Sequence, residues 1–472
     1  MAEWIDAATA SERLGVKTAT LYAYVSRGVL RRRHGEDGRR SLFSAEEVER
    51  LARRGRPRNQ QPELVIESAI TALGVDRPYY RGLDVLGLAG TAPFETVAEW
   101  LWTGDRAVWP TTRATPVDDP HASTAVPDIP ATAKTPAAPA VATGGSGPSD
   151  DPGIPVVSAG GPSPAAWRRE PEALEAVGGQ RRMPSPAAWR CEPEALEAVG
   201  TAQRGLPADL LPLDRLQVIT TVLGASDSLR HQLDPASVVA TGRRMIAGLV
   251  GALPQLSEPS GDSIGERLWS RLCPSPATPA LLTALEGALV LLADHELAAS
   301  TLAARVAASA KADPYAVVLT GLGVLGGPLH GGASYGAERL LAEIAEPHMA
   351  ARAVTDRVRR GERIPGFGHS VYKNGDARGA LLLDLVRTAA PDHGRVAAGD
   401  ALLAEMRRRR LPDRNIDFAL AVLTAVAGMV SGAGEAIFAV ARAAGWLAHA
   451  MEEYDRGSLL RLRASYTGPP TK

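Results

Sequence analysis

The sequence predicts a mainly all-α protein. Hydrophobic residues make up 45% of the 472 residues and aromatic residues only 5%, and Ala, Leu and Val dominate the apolar content. Alanine and leucine are strong helix formers, so this composition favours helices. A helical pattern of apolar residues also runs from Leu211 to the carboxyl terminus. A chain of this length is expected to form two or three domains.

Charge and cysteine content narrow the class of protein. The 52 basic and 53 acidic residues nearly cancel, so the whole-chain charge predicts no nucleic-acid or membrane partner, and any basic patch must be local. Cys191 and Cys273 belong to no CxxC or Cys/His cluster, which argues against a disulfide framework and a structural zinc site. We therefore expect no metal and a reducing compartment.

Neither the first ten residues nor the least charged run of the chain predicts a membrane segment. The start, MAEWIDAATA, lacks the basic and apolar regions of a signal peptide. Polar residues and glycines interrupt the least charged run, residues 418–434, which is shorter than the roughly 20 residues that span a bilayer. This run is predicted to be a buried helix, and the protein is predicted to be cytoplasmic.

The first 60 residues have the order of elements of a winged helix-turn-helix. Residues 7–14 predict a short helix, Gly15 a turn, and residues 18–26 a second helix. Residues 30–43 then predict a hairpin that turns at a Glu-Asp-Gly sequence. We therefore assign residues 1–60 to a separate small domain.

This segment carries 13 basic and 8 acidic residues, a local excess of +5. It resembles the MerR/excisionase type of winged helix-turn-helix, chiefly through SERLGVKTATLYAYVSRGVL. The resemblance implies that the second helix faces a DNA groove and that arginines of the wing contact phosphates. The alternative is a helical appendage that does not bind an operator. The residues implied in DNA binding are Lys17, Thr18, Thr20, Tyr22, Tyr24, Arg39 and Arg40.

Residues 63–104 again have apolar side chains at helical spacing, and this spacing is lost after residue 105. Residues 108–205 are rich in Pro, Ala, Gly, Ser and Thr, a composition that buries too little apolar surface to offset the entropy of ordering. The sequence therefore predicts a disordered insert at 108–205, which interrupts a larger helical domain that begins at 61–107.

The insert contains an internal repeat. PSPAAWRREPEALEAVG (Pro162–Gly178) returns as PSPAAWRCEPEALEAVG (Pro184–Gly200). Two copies are too few for a solenoid, so we interpret them as a duplication in a tolerant surface loop. The alternative is a peptide docking motif built on Trp167 and Trp189.

Chemistry-bearing residues are concentrated in the carboxy-terminal half. Two glycine-rich segments, GGPLHGGA (Gly326–Ala333) and PGFGHSVYKNGDAR (Pro365–Arg378), each carry one histidine. Glycine lets a ligand approach the backbone while the imidazole contacts it. The flanking segments are ADHELAAST with His295, RNIDF with Asp417, ARAAGWLAH with Arg442, and RLRASYTG with Arg461.

Two other motif interpretations fail on the residues. GLGVLG matches GxGxxG, but Pro328 follows closely and the next element is a charged amphipathic helix, so a dinucleotide fold is improbable. His295-Glu296 begins like HExxH, but Ala299 stands at the position of the second histidine, which excludes a zinc protease site.

These segments resemble those of the citrate synthase family in their order and in their residues, over roughly residues 68–104 and 206–468. The resemblance implies an all-helical homodimer whose subunits have a large and a small domain, closing over oxaloacetate and an acyl-coenzyme A. The small domain is expected at 332–427, and the large domain at 61–107, 206–331 and 428–472.

The resemblance also implies roles for individual residues. Asp417 is the base that removes a proton from the thioester methyl group, His330 donates to the thioester oxygen, and His369 polarises the ketone and protonates the new alkoxide. The oxaloacetate ligands implied are His295, Arg378, Arg442 and, from the partner subunit, Arg461. The coenzyme A ligands implied are Ile364, Gly366, Phe367, Gly368 and Lys373.

The expected reaction is condensation of acetyl-coenzyme A with oxaloacetate to citrate, with no cofactor. Two alternatives stay open. One is propionyl-coenzyme A as donor, giving 2-methylcitrate, because one methylene changes discrimination by only about 1–3 kcal/mol. The other is a transcriptional regulator with a synthase-like sensor body. Ala377 departs from the family's usual proline before Arg378, and we expect it to loosen the backbone there and to weaken oxaloacetate binding.

Overall fold

The computed structural model describes residues 4–14, 18–26, 30–34, 41–45, 47–48, 65–109, 188–373, 375–464 and 466–468. The chain divides into two compact units, Met1–Ser68 and Ala69–Lys472. The finer division of the second unit into a large and a small domain stays a prediction.

The first unit contains the predicted helix-turn-helix and wing. Helices α1 (Ala7–Leu14) and α2 (Thr18–Ser26) are confirmed at the predicted bounds. Strands β2 (Arg32–His34) and β3 (Ser41–Ser44) form the predicted antiparallel hairpin. A strand that was not predicted, β1 (Trp4–Asp6), pairs with β3 on its other side, so that the sheet order is β1-β3-β2. A small apolar core holds these elements together: Ile5, Ala10, Leu21, Leu30, Phe43, Ala45 and Val48.

The second unit is built almost entirely of helices. Many of them begin with proline at the first helical position or with a polar cap, as in α-helices generally. Their bounds are α3 Val85–Ala89, α4 Phe94–Thr103, α5 Pro193–Gln203, α6 Pro212–Ser226, α7 Pro235–Gly251, α8 Ile264–Leu272, α9 Pro279–Leu292, α10 Ala299–Ser309, α11 Pro314–Leu325, α12 Gly332–Glu343, α13 Ala350–Arg359, α14 Ala377–Ala389, α15 Gly394–Arg408, α16 Ile416–Ala427 and α17 Ala433–Arg456.

Helix α17 runs through the core and is buried along most of its length. Small residues let neighbouring elements approach it. The amide of Gly445 donates to the carbonyl of Ala293 at 3.0 Å, and Gly321 on α11 leaves room for the ring of Trp446. The predicted buried helix at 418–434 is confirmed only in part, because α16 ends at Ala427. Gly428 caps it with a φ of 67°, which suits glycine.

Two predictions for the second unit are wrong. Residues 71–84 do not continue a helix but form a small antiparallel sheet of β4 (Thr71–Leu73), β5 (Pro78–Tyr80) and β6 (Leu83–Asp84). The insert predicted to be disordered to residue 205 is ordered from residue 188, where Trp189 is buried and α5 follows. Composition averaged over the insert concealed a segment whose few apolar side chains pack against the rest of the protein.

Among the described residues, no helix combines the length and apolar character needed to cross a membrane.

Candidate active site

The second unit brings His295 and His369 together around Tyr372. The ring centroids of the two histidines lie 5.3 Å apart, and His369 stacks on Tyr372 at 4.7 Å. Nε2 of His295 hydrogen-bonds to the Tyr372 hydroxyl at 2.9 Å. Burial, with the charges of Arg378 and Arg442, lowers the pKa of His295 well below its usual range. This imidazole is therefore neutral at physiological pH.

The tautomer of His369 follows from its backbone contacts. Its Nδ1 accepts hydrogen bonds from the amides of Val371 and Tyr372 at 3.0 and 3.2 Å, so the ring hydrogen is on Nε2. Burial, and then the charge of Arg378, lowers the pKa of His369 to about 4. His369 is thus a neutral imidazole with one N–H available to a ligand.

His330 lies in the turn before α12. This turn is tight: a Cβ atom added to Gly332 would come within 2.7 Å of the Gly326 carbonyl oxygen. Nε2 of His330 hydrogen-bonds to Oγ of Ser300 at 2.6 Å, and that hydroxyl also accepts from the indole of Trp446 at 3.2 Å. Burial, followed by the charge of Arg442, lowers the pKa of His330 to about 4. It too is neutral near pH 7.

Asp417 lies in the first turn of α16. Asn415 caps this helix, since its side chain accepts from the amides of Asp417 and Phe418. The Asp417 carboxylate accepts a hydrogen bond from Ser334 at 2.6 Å. Burial raises its pKa to about 6, against the opposing effects of Ser334 and Arg378. A carboxylate with this pKa is a stronger base than an ordinary one.

Arg378 and Arg442 supply the positive charge near these groups. The Asp376 carboxylate binds Nε and Nη2 of Arg378 at 3.0 and 2.9 Å, which fixes the guanidinium in a buried position. The guanidinium of Arg442 is 1% exposed, donates from Nε to the Leu292 carbonyl at 2.7 Å, and lies 4.8 Å from the Phe438 ring centre. Nη1 of Arg442 has no hydrogen-bond partner in the described part of the chain.

The predicted coenzyme A segment contacts the start of α16. The amide of Gly368 donates to the Asp413 carbonyl at 2.8 Å, and the amide of Asn415 donates to the Gly366 carbonyl at 2.9 Å. Gly366 and Gly368 have φ values of 82° and 84°, which other residues rarely adopt. The Phe367 ring packs on Phe418 at 5.0 Å. The loop and the helix that carries Asp417 therefore form one assembly, with Ile364 buried beneath it.

Lys373 and Arg461 differ from this buried group in their exposure. Both are exposed, and the described part of the chain places no acidic side chain within 4 Å of either. Their predicted contacts with coenzyme A and with a partner's substrate stay predictions.

The sequence analysis did not identify the residues that hold the predicted site residues in position. Tyr372 and Asp376 lie in the quoted histidine segment, three and seven positions after His369, and their spacing from it was the available signal. Ser300 and Ser334 gave no signal, because serines are common and their partners are distant in sequence. His449, in the same segment as Arg442, is a buried residue that hydrogen-bonds to Arg305 and Asp294.

The predicted DNA-binding residues lie in the first unit. Lys17, Arg39 and Arg40 are outside the described residues, and Thr18 begins α2. Thr20 and Tyr22 are exposed on that helix, and the guanidinium of Arg32 lies 5.6 Å from the Tyr22 ring centre. Tyr24 is half-buried and packs against the small core, and its predicted position in a groove stays a prediction.

The helical fold, and a site that joins a buried carboxylate, neutral histidines and buried arginines, define a synthase-type transferase. Residues 186–463 match the family model described as citrate synthase, C-terminal domain, which is more than half of the chain. The chain belongs to the citrate synthase family. Residues 7–54 match the model of the MerR HTH family of regulatory proteins.

Named relatives fall into two groups. Citrate synthase 2 of Bacillus subtilis is 34% identical over 275 residues, which cover 55% of this chain and 73% of the relative. The 2-methylcitrate synthase 2 of Corynebacterium glutamicum is 31% identical over 281 residues, which cover 56% and 73%. Sequence similarity therefore does not show whether this chain is closer in specificity to a citrate synthase or to a 2-methylcitrate synthase.

Solved structures support the fold. Citrate synthase from Thermotoga maritima superposes with a TM-score of 0.61 at 24% identity, over 88% of this chain and 96% of that chain. The enzyme from Thermoplasma acidophilum, solved as a ternary complex with carboxymethyl coenzyme A and oxaloacetate, has a TM-score of 0.61 at 20% identity, over 87% and 96%.

Proposed function

We propose that the protein condenses oxaloacetate with acetyl-coenzyme A and hydrolyses the product thioester to citrate and coenzyme A, without a metal or cofactor. The observation that carries this proposal is Asp417, a buried carboxylate of raised pKa among neutral histidines and two buried guanidinium groups. The Thermoplasma acidophilum enzyme, solved with carboxymethyl coenzyme A and oxaloacetate, supports the substrate class.

The first step forms a carbon nucleophile. Asp417 takes a proton from the thioester methyl group, and His330 donates a hydrogen bond to the thioester oxygen as charge develops there. If Nε2 of His330 accepts from the Ser300 hydroxyl, the ring hydrogen is on Nδ1 and available to that oxygen. A neutral imidazole serves here, since it donates without transferring its proton.

The second step joins the carbons. The enolate carbon attacks the ketone of oxaloacetate, whose oxygen accepts a hydrogen bond from Nε2 of His369. The new alkoxide takes that proton, and His369 regains one as the proton that Asp417 removed from the methyl group is released. Water then cleaves the citryl thioester, giving citrate and the free thiol. Arg378, Arg442 and His295 hold the oxaloacetate carboxylates, with Arg461 of the partner subunit completing the set in a homodimer.

The acyl donor is tested by thiol release. The purified protein is mixed with oxaloacetate and either acetyl- or propionyl-coenzyme A, and free thiol is measured against time. We expect a higher kcat/KM with the acetyl donor. A higher value with propionyl-coenzyme A would make the protein a 2-methylcitrate synthase, and no release with either donor, while a control enzyme turns over, would refute the enzymatic proposal.

The first unit supports a second candidate function, DNA binding by residues 1–60. Its support is the match to the MerR HTH family model and the exposed Thr20 and Tyr22 on α2. We expect salt-sensitive retention of specific promoter fragments by the full chain. Retention that is unchanged after deletion of residues 1–60 would assign the binding to another part of the protein.

A further inference from the structure

The second copy of the internal repeat contributes side chains to the hydrophobic core. In the second copy, Pro184–Gly200, the indole of Trp189 is 1% exposed and stacks on Trp102, with 5.6 Å between ring centroids and 19° between planes. Val199, on α5, is fully buried. The first copy, Pro162–Gly178, lies outside the described residues, yet it has the same residue at 16 of its 17 positions.

We call the surface under the second copy the repeat groove, and define it by Phe94, Trp102, Arg244, Gly248 and Arg267. The Trp189 ring lies 6.5 Å from that of Phe94, and Arg267 donates to the Trp189 carbonyl at 2.9 Å. Arg244 lies 3.7 Å from the Glu192 carboxylate. Only one indole can stack on Trp102 in this way, so the groove accepts one copy at a time.

The first copy carries the same contacting side chains. Leu196 of the second copy contacts α7, where a Cβ atom built on Gly251 would lie 3.6 Å from the leucine methyl. The residues of the second copy that contact the repeat groove and its surroundings are Trp189, Glu192, Leu196 and Val199, and their equivalents in the first copy are Trp167, Glu170, Leu174 and Val177.

The one difference lies at Cys191, where the first copy has Arg169. Cys191 is half-buried, and its sulfur lies above Gly248, 3.1 Å from the position of an added Cβ atom. Beside it is a cavity of about 480 Å³ that is lined in part by Glu194 and Asp227. Asp227 is paired with Arg244, which also lines the cavity, so the cavity offers space and the Glu194 carboxylate to the longer, cationic side chain of Arg169.

Sequence beyond the repeat explains why the second copy holds the groove. The side chain of Gln203 donates to the Ala252 carbonyl at 2.8 Å, whereas the position equivalent to Gln203 after the first copy is Arg181. Docking of the first copy would also lengthen the connection to α6 from 11 to 33 residues. Loop-closure entropy makes this connection less favourable by about fivefold, but the connection from residue 109 to the docked copy shortens from 74 to 52 residues, so the net effect is about threefold. These effects favour the second copy modestly.

We propose that the first copy, Pro162–Gly178, can replace the second copy in the repeat groove of the same chain. The repeat then supplies two interchangeable segments for one core position. Exchange moves Cys191 out of its half-buried position and replaces the short connection to α6 by a long one.

The experiment uses the full chain with Cys273→Ser, which leaves Cys191 as the only thiol. Trp189→Ala weakens the second copy, so the first copy should dock. We expect iodoacetamide labelling of Cys191 to become at least tenfold faster, with a loss of only a few degrees in Tm. The double variant Trp167→Ala/Trp189→Ala should lose far more in Tm, because neither copy can then fill the groove. Trp167→Ala alone is the matched control and should leave Tm unchanged.

An equal Tm for Trp189→Ala and the double variant would overturn the proposal, and so would unfolding of Trp189→Ala alone. Labelling that depends on protein concentration would also overturn it, since the incoming copy would then come from a second molecule. A milder variant, Arg169→Cys, makes the two copies identical. Peptide mass spectrometry should show protection from iodoacetamide shared between the thiols at positions 169 and 191. Protection confined to position 191 would refute exchange.

Discussion

Arg378 and Arg442, the two buried arginines of the candidate site, are held in opposite ways. Arg378 begins α14, where Asp376 binds its guanidinium at two nitrogens and also accepts from its backbone amide at 3.1 Å. Arg442 lies in the middle of α17, and no carboxylate lies within 4 Å of it in the described part of the chain. The two side chains carry the same charge in similar burial.

This difference appears in their pKa values. Burial opposes the charge of both arginines, but the Asp376 carboxylate outweighs it and raises the pKa of Arg378, whereas burial dominates and lowers the pKa of Arg442. A paired guanidinium is oriented before substrate arrives, and an unpaired one gains most when an anion binds. We therefore expect Arg442 to contribute mainly to affinity and Asp376 to stability.

Asp417, which interacts electrostatically with both arginines, should give the largest effect. Asp417→Asn removes the proposed base while its amide oxygen can still accept from Ser334, so kcat should fall by about 10²–10⁴-fold. Steady-state thiol release measures this, with Asp384→Asn on the exposed side of α14 as control. A loss below tenfold would assign the base to another group.

Arg442→Met should give the second-largest effect, a loss of affinity for oxaloacetate. A substrate carboxylate that loses its buried guanidinium partner costs about 2–5 kcal/mol, so KM for oxaloacetate should rise by about 30- to 5,000-fold. The KM for acetyl-coenzyme A should change far less. Arg442→Lys keeps the charge but not the two-pronged geometry and should be intermediate. An unchanged KM in Arg442→Met would show that Arg442 does not contact the substrate.

Asp376→Asn should convert Arg378 into a second unpaired arginine. Removing one partner of a buried ion pair typically destabilises a protein by about 3–5 kcal/mol, and urea unfolding should show a loss of that order. Asp400→Asn, which breaks a partly exposed pair with Arg387, should cost less than about 1 kcal/mol. Equal losses in the two variants would contradict the difference drawn between buried and exposed pairs.

Asp417 should also lower stability at neutral pH. Its pKa rises from 3.8 to about 6 on folding, so its contribution to stability is fully present below pH 3.8 and is lost as pH rises through 6. Above that range the buried carboxylate costs about 3 kcal/mol. Asp417→Asn should therefore raise the free energy of unfolding at pH 8 but not at pH 4, whereas kcat of the unaltered protein should fall below pH 6. Equal effects at both pH values would disprove the shift.

The smallest effect concerns Ala377. The Asp376 cap already fixes the start of α14, and the extended backbone of Asp376, with φ −95° and ψ 111°, accepts a following proline. Ala377→Pro should stabilise the protein by about 0.4–1 kcal/mol and change KM for oxaloacetate by less than about twofold. A KM that falls by tenfold would instead support the loosening expected from the sequence.

Local patterns predicted the elements that depend on neighbouring residues. Helices α1 and α2 have their predicted bounds because turn residues and apolar periodicity lie within a few positions of each other. The strands of residues 71–84 and the burial of Trp189 were missed because both depend on distant partners. Trp189 packs on Trp102 across the whole insert, and no composition window includes both.

The sequence by itself determined the residue types, the order of the segments and therefore the family, since the motifs carry these directly. Only the tertiary structure decided which groups are neutral, which of the two arginines is paired with a carboxylate among the described residues, and that the second repeat copy packs in the core. The physical reason is that pKa and pairing depend on burial and on through-space distance. Ser334 and Asp417 are 83 positions apart in the chain, yet their side chains lie 2.6 Å apart in the fold.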